Sequence, residues 1–285
     1  MAEHFNESAY RQFSHAIQAN MHAETAPTDV IELHAGNSYA AIRRRGAFIT
    51  RLTLENGGRL LYEPAVTDTP KLAASHAMLP VGPYEGAGGQ HGFLRWADYV
   101  AAGVNGPRRR ARYAGLRAQT YDLPLSIYRG FALTTASVAL LTTIKNDTAR
   151  PAFTSFGEHL YFSLPDGATA AEVRLKQHSI DDVTYPGAIE QIKQGDAVFW
   201  QGYGGRPLQV DMPDKAFRIE ATVHGSNVDS EDIGLLLWQR PGEPFICIEP
   251  TVGYASARQR PAYNNGAYID AHGGALVMTT TIHGR

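Results

Sequence analysis

From residue 26 onward the hydrophobic pattern of this chain never holds a helical period. Apolar and polar residues alternate instead in short runs, over Val30 to His34, Ser38 to Arg44, Ala47 to Leu54 and Arg59 to Tyr62. The separators are Gly36-Asn37, Gly46 and Asn56-Gly57-Gly58, residues that supply the backbone conformations tight hairpins need. A period of two sends successive side chains to opposite faces of a strand, so this pattern confines the chain to antiparallel sheet.

The same pattern recurs at Phe131 to Ser137, Val138 to Lys145 and Ala152 to Leu164. It continues at Ala197 to Gln201, Leu208 to Val210, Phe217 to His224, Ile233 to Gln239, Phe245 to Glu249 and Ala275 to Ile282. With 28 glycines and 16 prolines in 285 residues, turns outnumber any place for long helices. The spacing predicts an all-β fold, one large antiparallel domain over residues 26–285 with two sheets packed face to face. Residues 1–25 form a separate N-terminal arm, helical over 5–23, where Phe5, Phe13 and Ile17 recur at helical spacing. The stretch from Pro64 to Tyr99 lacks alternation but is dense in Gly, Pro, His and aromatic residues; it reads as a long functional loop that walls a site.

Composition removes several function classes. Hydrophobic residues make up 44% and charged residues 19%, the balance of a soluble globular chain, and no apolar run approaches a bilayer crossing. The 26 basic and 28 acidic residues leave no field for nucleic acid. The basic clusters Arg43-Arg44-Arg45 and Arg108-Arg109-Arg110 read either as solvated charge or as a phosphate patch. The first thirty residues carry no apolar block of the export type, and the single cysteine, Cys247, forms no internal disulfide; both suit a cytoplasmic location.

Three stretches set ionisable groups in patterned surroundings: Gly89-Gln90-His91-Gly92-Phe93-Leu94-Arg95, Glu158-His159-Leu160-Tyr161-Phe162-Ser163-Leu164 and Phe245-Ile246-Cys247-Ile248-Glu249-Pro250. Alternation puts His159, Tyr161 and Ser163 on one face of a strand, aimed at the open side, with Leu160, Phe162 and Leu164 on the core side. The same rule places Phe245, Cys247 and Glu249 together, with Glu249 at a strand end on the sheet rim before Pro250. Two imidazoles and a carboxylate are the groups that move protons near neutral pH. Each also has a structural reading: His159 as a hydrogen-bonded sheet histidine, Glu249 as the partner of an arginine such as Arg258, and His91 as an incidental turn residue.

In this order and separation, the three stretches resemble the aldose 1-epimerase (galactose mutarotase-like) family. The His-Gly-Phe-Leu-Arg and Ile-Cys-Ile-Glu-Pro pieces look closer to its hexose-6-phosphate mutarotase branch. Leu141-Thr142-Thr143-Ile144-Lys145-Asn146, Pro151 and His159-Leu160-Tyr161-Phe162 are similar to the family's strand, asparagine turn and histidine strand. The likeness runs from about Gly36 to Ile282. It implies a β-supersandwich and the interconversion of the α and β anomers of an aldose or related sugar by acid/base ring opening, with Glu249 as base, His159 as acid, and His91 polarising the ring oxygen or sharing the acid role. An ordinary glutamate, with a pKa near ~4.3, would be ionised as a base must be. Neither a metal nor an organic cofactor is needed for this chemistry. Phe93, Trp96, Tyr161 and Trp238 become candidate platforms for sugar C–H faces, and Arg95 a clamp for a hydroxyl or phosphate oxygen, its alternative being a surface ion pair with Asp98. His76 is a further candidate contact, and Asp211 a candidate acidic ligand for sugar hydroxyls. The phosphosugar branch has an arginine and paired glycines where this chain reads Ser75-His76-Ala77-Met78-Leu79-Pro80, a departure that bears on phosphate recognition. The implied partner is a small sugar or sugar phosphate, taken up by a monomer or homodimer, with no nucleic acid and no membrane.

Three rivals share the pattern. A non-catalytic carbohydrate-binding protein keeps the cleft without the chemistry. A polysaccharide lyase-like enzyme on the same sandwich abstracts a uronate proton with a tyrosine or histidine. A cupin-type metal enzyme would use two His and one Glu as ligands, although the chain has no closely spaced His-x-His pair.

Overall fold

The computed structural model describes residues 30–55, 58–63, 75–82, 91–92, 94–105, 113–119, 125–164, 174–177, 180–183, 191–192, 194–200, 208–212, 217–254 and 267–284. The N-terminal arm, 1–25, lies outside them. The described chain is almost entirely strand. Strands β1 (Val30–Ala35), β2 (Ser38–Arg43), β3 (Phe48–Leu54) and β4 (Gly58–Arg59) form a four-stranded antiparallel meander, as the opening alternation predicts. Next come β5 (Ser75–Met78), a 3-10 turn at Leu94–Trp96, β6 (Val100–Asn105), β7 (Tyr113–Gln119), β8 (Leu125–Leu133), β9 (Ser137–Asn146), β10 (Ala152–Thr154) and β11 (Phe156–Ser163). The remainder is β12 (Arg174–Gln177), β13 (Ile180–Val183), β14 (Val198–Trp200), β15 (Leu208–Met212), β16 (Phe217–His224), β17 (Gly234–Trp238), β18 (Phe245–Val252), β19 (Ala267–Ile269) and β20 (Gly274–Gly284).

Two large sheets organise these strands. One has nine strands in the order β13-β12-β15-β16-β20-β9-β8-β7-β6, and the other five in the order β14-β17-β18-β11-β5. Their inner faces share one continuous apolar core that includes Phe131, Leu160, Phe162, Phe217 and Ile248, and Ile49 of the four-stranded sheet joins it. Phe162 of the smaller sheet stacks on Phe217 of the larger, with ring centroids 4.5 Å apart. Burying side chains of this size stabilises by about 1.5–3 kcal/mol each, which is what holds two sheets together as a β-sandwich.

The structure revises several sequence-based boundaries. The run from Ala152 to Leu164 is two strands broken at Ser155: β10 pairs with β19, while β11 crosses to the five-stranded sheet. Ser155 leaves the ladder and its Oγ accepts the Val81 N–H at 2.9 Å. Within the stretch read as loop, Ser75–Met78 is strand β5, paired with β11. All four of its residues are buried, so both faces are covered and no alternation marks it. Glu249 does not end a strand either. β18 runs on through Pro250 to Val252, with every residue buried.

Candidate functional site

The site occupies the outer face of the five-stranded sheet, the face turned away from the shared core. Register lays its residues out in rows. β5 pairs His76 with His159 on β11, and the β11–β18 register sets His159 opposite Glu249. Two residues along, Tyr161 pairs with Cys247, and Cys247 with Trp238 on β17. Three adjacent strands therefore present His76, His159 and Glu249 side by side, with Tyr161, Cys247 and Trp238 in the next row.

The β11–β18 ladder joins Phe156 and Gly157 to Val252 and Thr251, then resumes from Leu160↔Ile248 to Ser163↔Phe245. It lapses at Glu158 and His159, opposite Pro250 and Glu249, where proline has no N–H to donate. At this gap His159 Nε2 lies 3.1 Å from Glu249 Oε1. Tyr161 is stacked on His159, centroids 4.4 Å apart, with its hydroxyl 3.5 Å from the same Nε2. His76 stacks on the imidazole at 4.6 Å.

His91 reaches the site from a strained turn. Its φ is 64°, Gly92 follows at 68°, and a Cβ on Gly92 would stand 1.8 Å from the Leu79 carbonyl oxygen. Only glycine fits there. The Gly82 N–H donates to His91 Nδ1 at 3.0 Å, which leaves the proton of the neutral ring on Nε2. His91 meets His159 edge to face at 5.4 Å.

Burial dominates the electrostatics. It pushes the Glu249 carboxyl up to about 8. It holds His159 and His76 well below the usual histidine range, reinforced by the neighbouring histidines and Arg95. His91 is lowered to about 4 by burial and then by Arg95. Desolvation also raises the Tyr161 hydroxyl and the Cys247 thiol. The expectation of an ordinary, ionised Glu249 is therefore corrected: near neutral pH the pair holds one proton, which burial favours on the carboxyl over the imidazole, and the titration belongs to the pair.

The structure brings together Glu249, His159, His91, His76 and Tyr161, with Arg95 and Trp238 at the borders. His159 is not on an open face as alternation suggested, since it is only 4% exposed beneath these neighbours. Arg95 is buried rather than held in a surface ion pair with Asp98, and its Cζ sits 5.5 Å from the centroid of the half-buried Trp96 ring. Trp238 packs on Phe245 and donates its indole N–H to the Gly195 carbonyl at 3.0 Å. Phe93 and Arg258 lie outside the described residues. Asp211 is on β15 of the nine-stranded sheet, paired with Arg174 and Arg218, and so is not on the strands that form the site.

Sequence reasoning missed the buried support behind the site. Glu158, on the core side of β11, takes a two-pronged ion pair from Arg129 at 2.8 and 3.0 Å. Thr142 donates to the same carboxylate at 2.9 Å, and Arg129 Nε donates to the Ala47 carbonyl at 3.1 Å. Alternation does place Glu158 on the core face beside Leu160 and Phe162. Nothing local pointed to Arg129, on another sheet.

No protein-family model and no curated protein matches the chain. Solved structures do. A protein from Synechocystis sp. PCC 6803 superposes with a TM-score of 0.64 at 18% identity, covering 92% of this chain and 98% of that one. A putative aldose 1-epimerase from Escherichia coli K12 gives 0.66 at 14% identity, with coverages of 89% and 98%. A galactose mutarotase related enzyme from Lactobacillus acidophilus gives 0.67 at 14%, with 90% and 97%. At such identities the likeness is one of architecture, and at that level this chain has the fold of the aldose 1-epimerase, galactose mutarotase-like proteins.

Proposed function

We propose that the chain is an isomerase of the aldose 1-epimerase type, with Glu249 and His159 as its acid/base pair. The observation that carries the reading is the cross-strand contact of 3.1 Å between His159 Nε2 and Glu249 Oε1, buried in a face that His91 and Arg95 border.

Ring opening of a hemiacetal needs two proton movements. In the tautomer that carries the pair's single proton on His159, Glu249, as carboxylate, takes the proton of the C1 hydroxyl; the C1–O5 bond breaks as C1 becomes a carbonyl, and His159, as imidazolium, protonates O5. Rotation about C1–C2 presents the other face, and reclosure returns each proton to its donor. The pair begins with one proton and ends with one, so no net proton enters or leaves. Burial makes the carboxylate a stronger base and the imidazolium a stronger acid than in water. His91, its proton held on Nε2 by the Gly82 N–H, is suited to donate a hydrogen bond to the ring oxygen rather than to store a proton. Tyr161 is stacked on His159, and the half-buried Trp238 offers ring surface near the pair.

The test is anomer exchange by saturation-transfer NMR on free and 6-phosphorylated hexoses. Glu249→Gln is expected to lose about 10²–10⁴-fold of the exchange rate while sugar binding persists. Binding without exchange in the wild type would leave a carbohydrate-binding protein; ultraviolet-absorbing product from a uronate polymer would indicate a lyase.

A further inference from the structure

Cys247 has no part in that chemistry, yet it stands in the row next to the acid/base pair. A nitrogen of His159, the Cys247 sulfur and a Glu249 oxygen all lie within 4.8 Å of one another, and all three residues are buried. Strand geometry is the cause. Cys247 and Glu249 are two residues apart on β18 and share a face, while His159 faces Glu249 from β11. The donors thus sit on adjacent rungs of a sheet rather than on loops, which fixes their spacing.

Zinc-type ligands bind at about 2.0–2.3 Å, so donor atoms around a tetrahedral ion are roughly 3–4 Å apart. The 3.1 Å from His159 Nε2 to Glu249 Oε1 already fits. A second observation points to a ligand: His159 Nδ1 and both ring nitrogens of His76 are buried without a hydrogen-bond partner. His76, fully buried, is stacked on His159 with ring centroids 4.6 Å apart. Charge fits as well. One divalent cation with a thiolate, a carboxylate and a neutral imidazole is electrically neutral, the state a dry site tolerates best.

We propose that His159, Cys247 and Glu249 form a binding site for a thiophilic divalent cation of the zinc class, and that filling it takes the acid/base pair out of proton transfer. Binding involves no redox change: protons held by the ligand groups pass to solvent as the metal–ligand bonds form. The sulfur donor selects zinc-like ions over magnesium or calcium. Blocking of exchange rests on the mutarotase reading; binding does not.

Chelator-treated full-length protein is titrated with Zn²⁺ by calorimetry in two buffers of different ionisation heat, and with Co²⁺ by absorbance. One ion per chain, release of protons and a thiolate-to-cobalt charge-transfer band are expected. Cys247→Ser is expected to abolish the band, and His159→Gln to weaken Zn²⁺ binding by about 100-fold or more. X-ray absorption at the zinc edge of wild-type protein, expected to show one sulfur near about 2.3 Å, gives the answer without any variant. Absence of binding at millimolar zinc, or a bound ion without a sulfur ligand, overturns the proposal. Anomer exchange is measured on the metal-free protein in parallel. A bound ion with no exchange removes the mutarotase reading and keeps the site; exchange with no bound ion does the reverse.

Discussion

Arg129 of the nine-stranded sheet and Glu158 of the five-stranded sheet form a bidentate ion pair at 2.8 and 3.0 Å, each only 1% exposed. The pair ties the two sheets together directly behind His159. Taking either partner away leaves an uncompensated buried charge, which typically costs about 3–5 kcal/mol. Arg129→Met and Glu158→Gln are each expected to lower unfolding free energy by that order, as read by urea denaturation. The double variant should recover part of the loss, and additive losses would show that the two do not act as a pair.

The proton shared by Glu249 and His159 sets the pH profile of anomer exchange. The working form holds one proton on the pair, so exchange is expected to be level in the neutral range and to fall as pH rises through about 8, where Glu249 titrates. On the acid side it falls when the pair takes a second proton, well below the ordinary histidine range. A rate that instead climbs through about 8 would make the deprotonated carboxylate the working form, with His91 as proton donor.

Stability carries a separate signature of the same carboxyl. Its folded pKa of about 8 lies above the ordinary 4.5, so the unfolded chain holds fewer protons in between. The stability this group contributes is fully present below about 4.5 and is lost as pH rises to about 8. Unfolding free energy of wild type relative to Glu249→Gln should therefore decline across that window and level off above it. The buried histidines act in the opposite sense. His76 and His159 are held neutral, so their contribution is lost as pH falls below the ordinary histidine value near 6.5. His76→Phe is expected to soften the loss of stability in acid.

Gly92 decides where His91 sits. Ala at this position meets the Leu79 carbonyl at 1.8 Å with φ at 68°. Gly92→Ala is expected to destabilise by about 1–3 kcal/mol or more and to depress anomer exchange through displacement of His91. Thermal melting reads the first effect and NMR exchange the second; a variant with wild-type exchange would separate His91 from the reaction.

Residues 30–54 show how far alternation reaches. Each strand of the β1–β3 meander has an apolar face and a wetter one, and the hairpins fall at the predicted glycines. The full span of β16, Phe217–His224, is equally plain in its regular pattern. β5 and the continuation of β18 past Glu249 were not legible, because strands covered on both faces carry no alternation, and Pro250 looked like a stop. At the site, Glu249, His159 and His91 stood out by type and surroundings, and the structure places all three together. Asp211, which belonged to none of those motifs, falls on the other sheet.

The sequence by itself determined the sheet-forming periodicity, the turn positions and which side chains on each strand share a face, because these depend on neighbours two residues apart. Only the tertiary structure decided what each face meets. It set β5 and β18 on either side of β11, aligning His76 and Glu249 with His159, and it buried that row deeply enough to turn an ordinary glutamate into a proton-sharing one. Register between strands and exclusion of water arise from contacts made across long stretches of chain, and no local pattern encodes them.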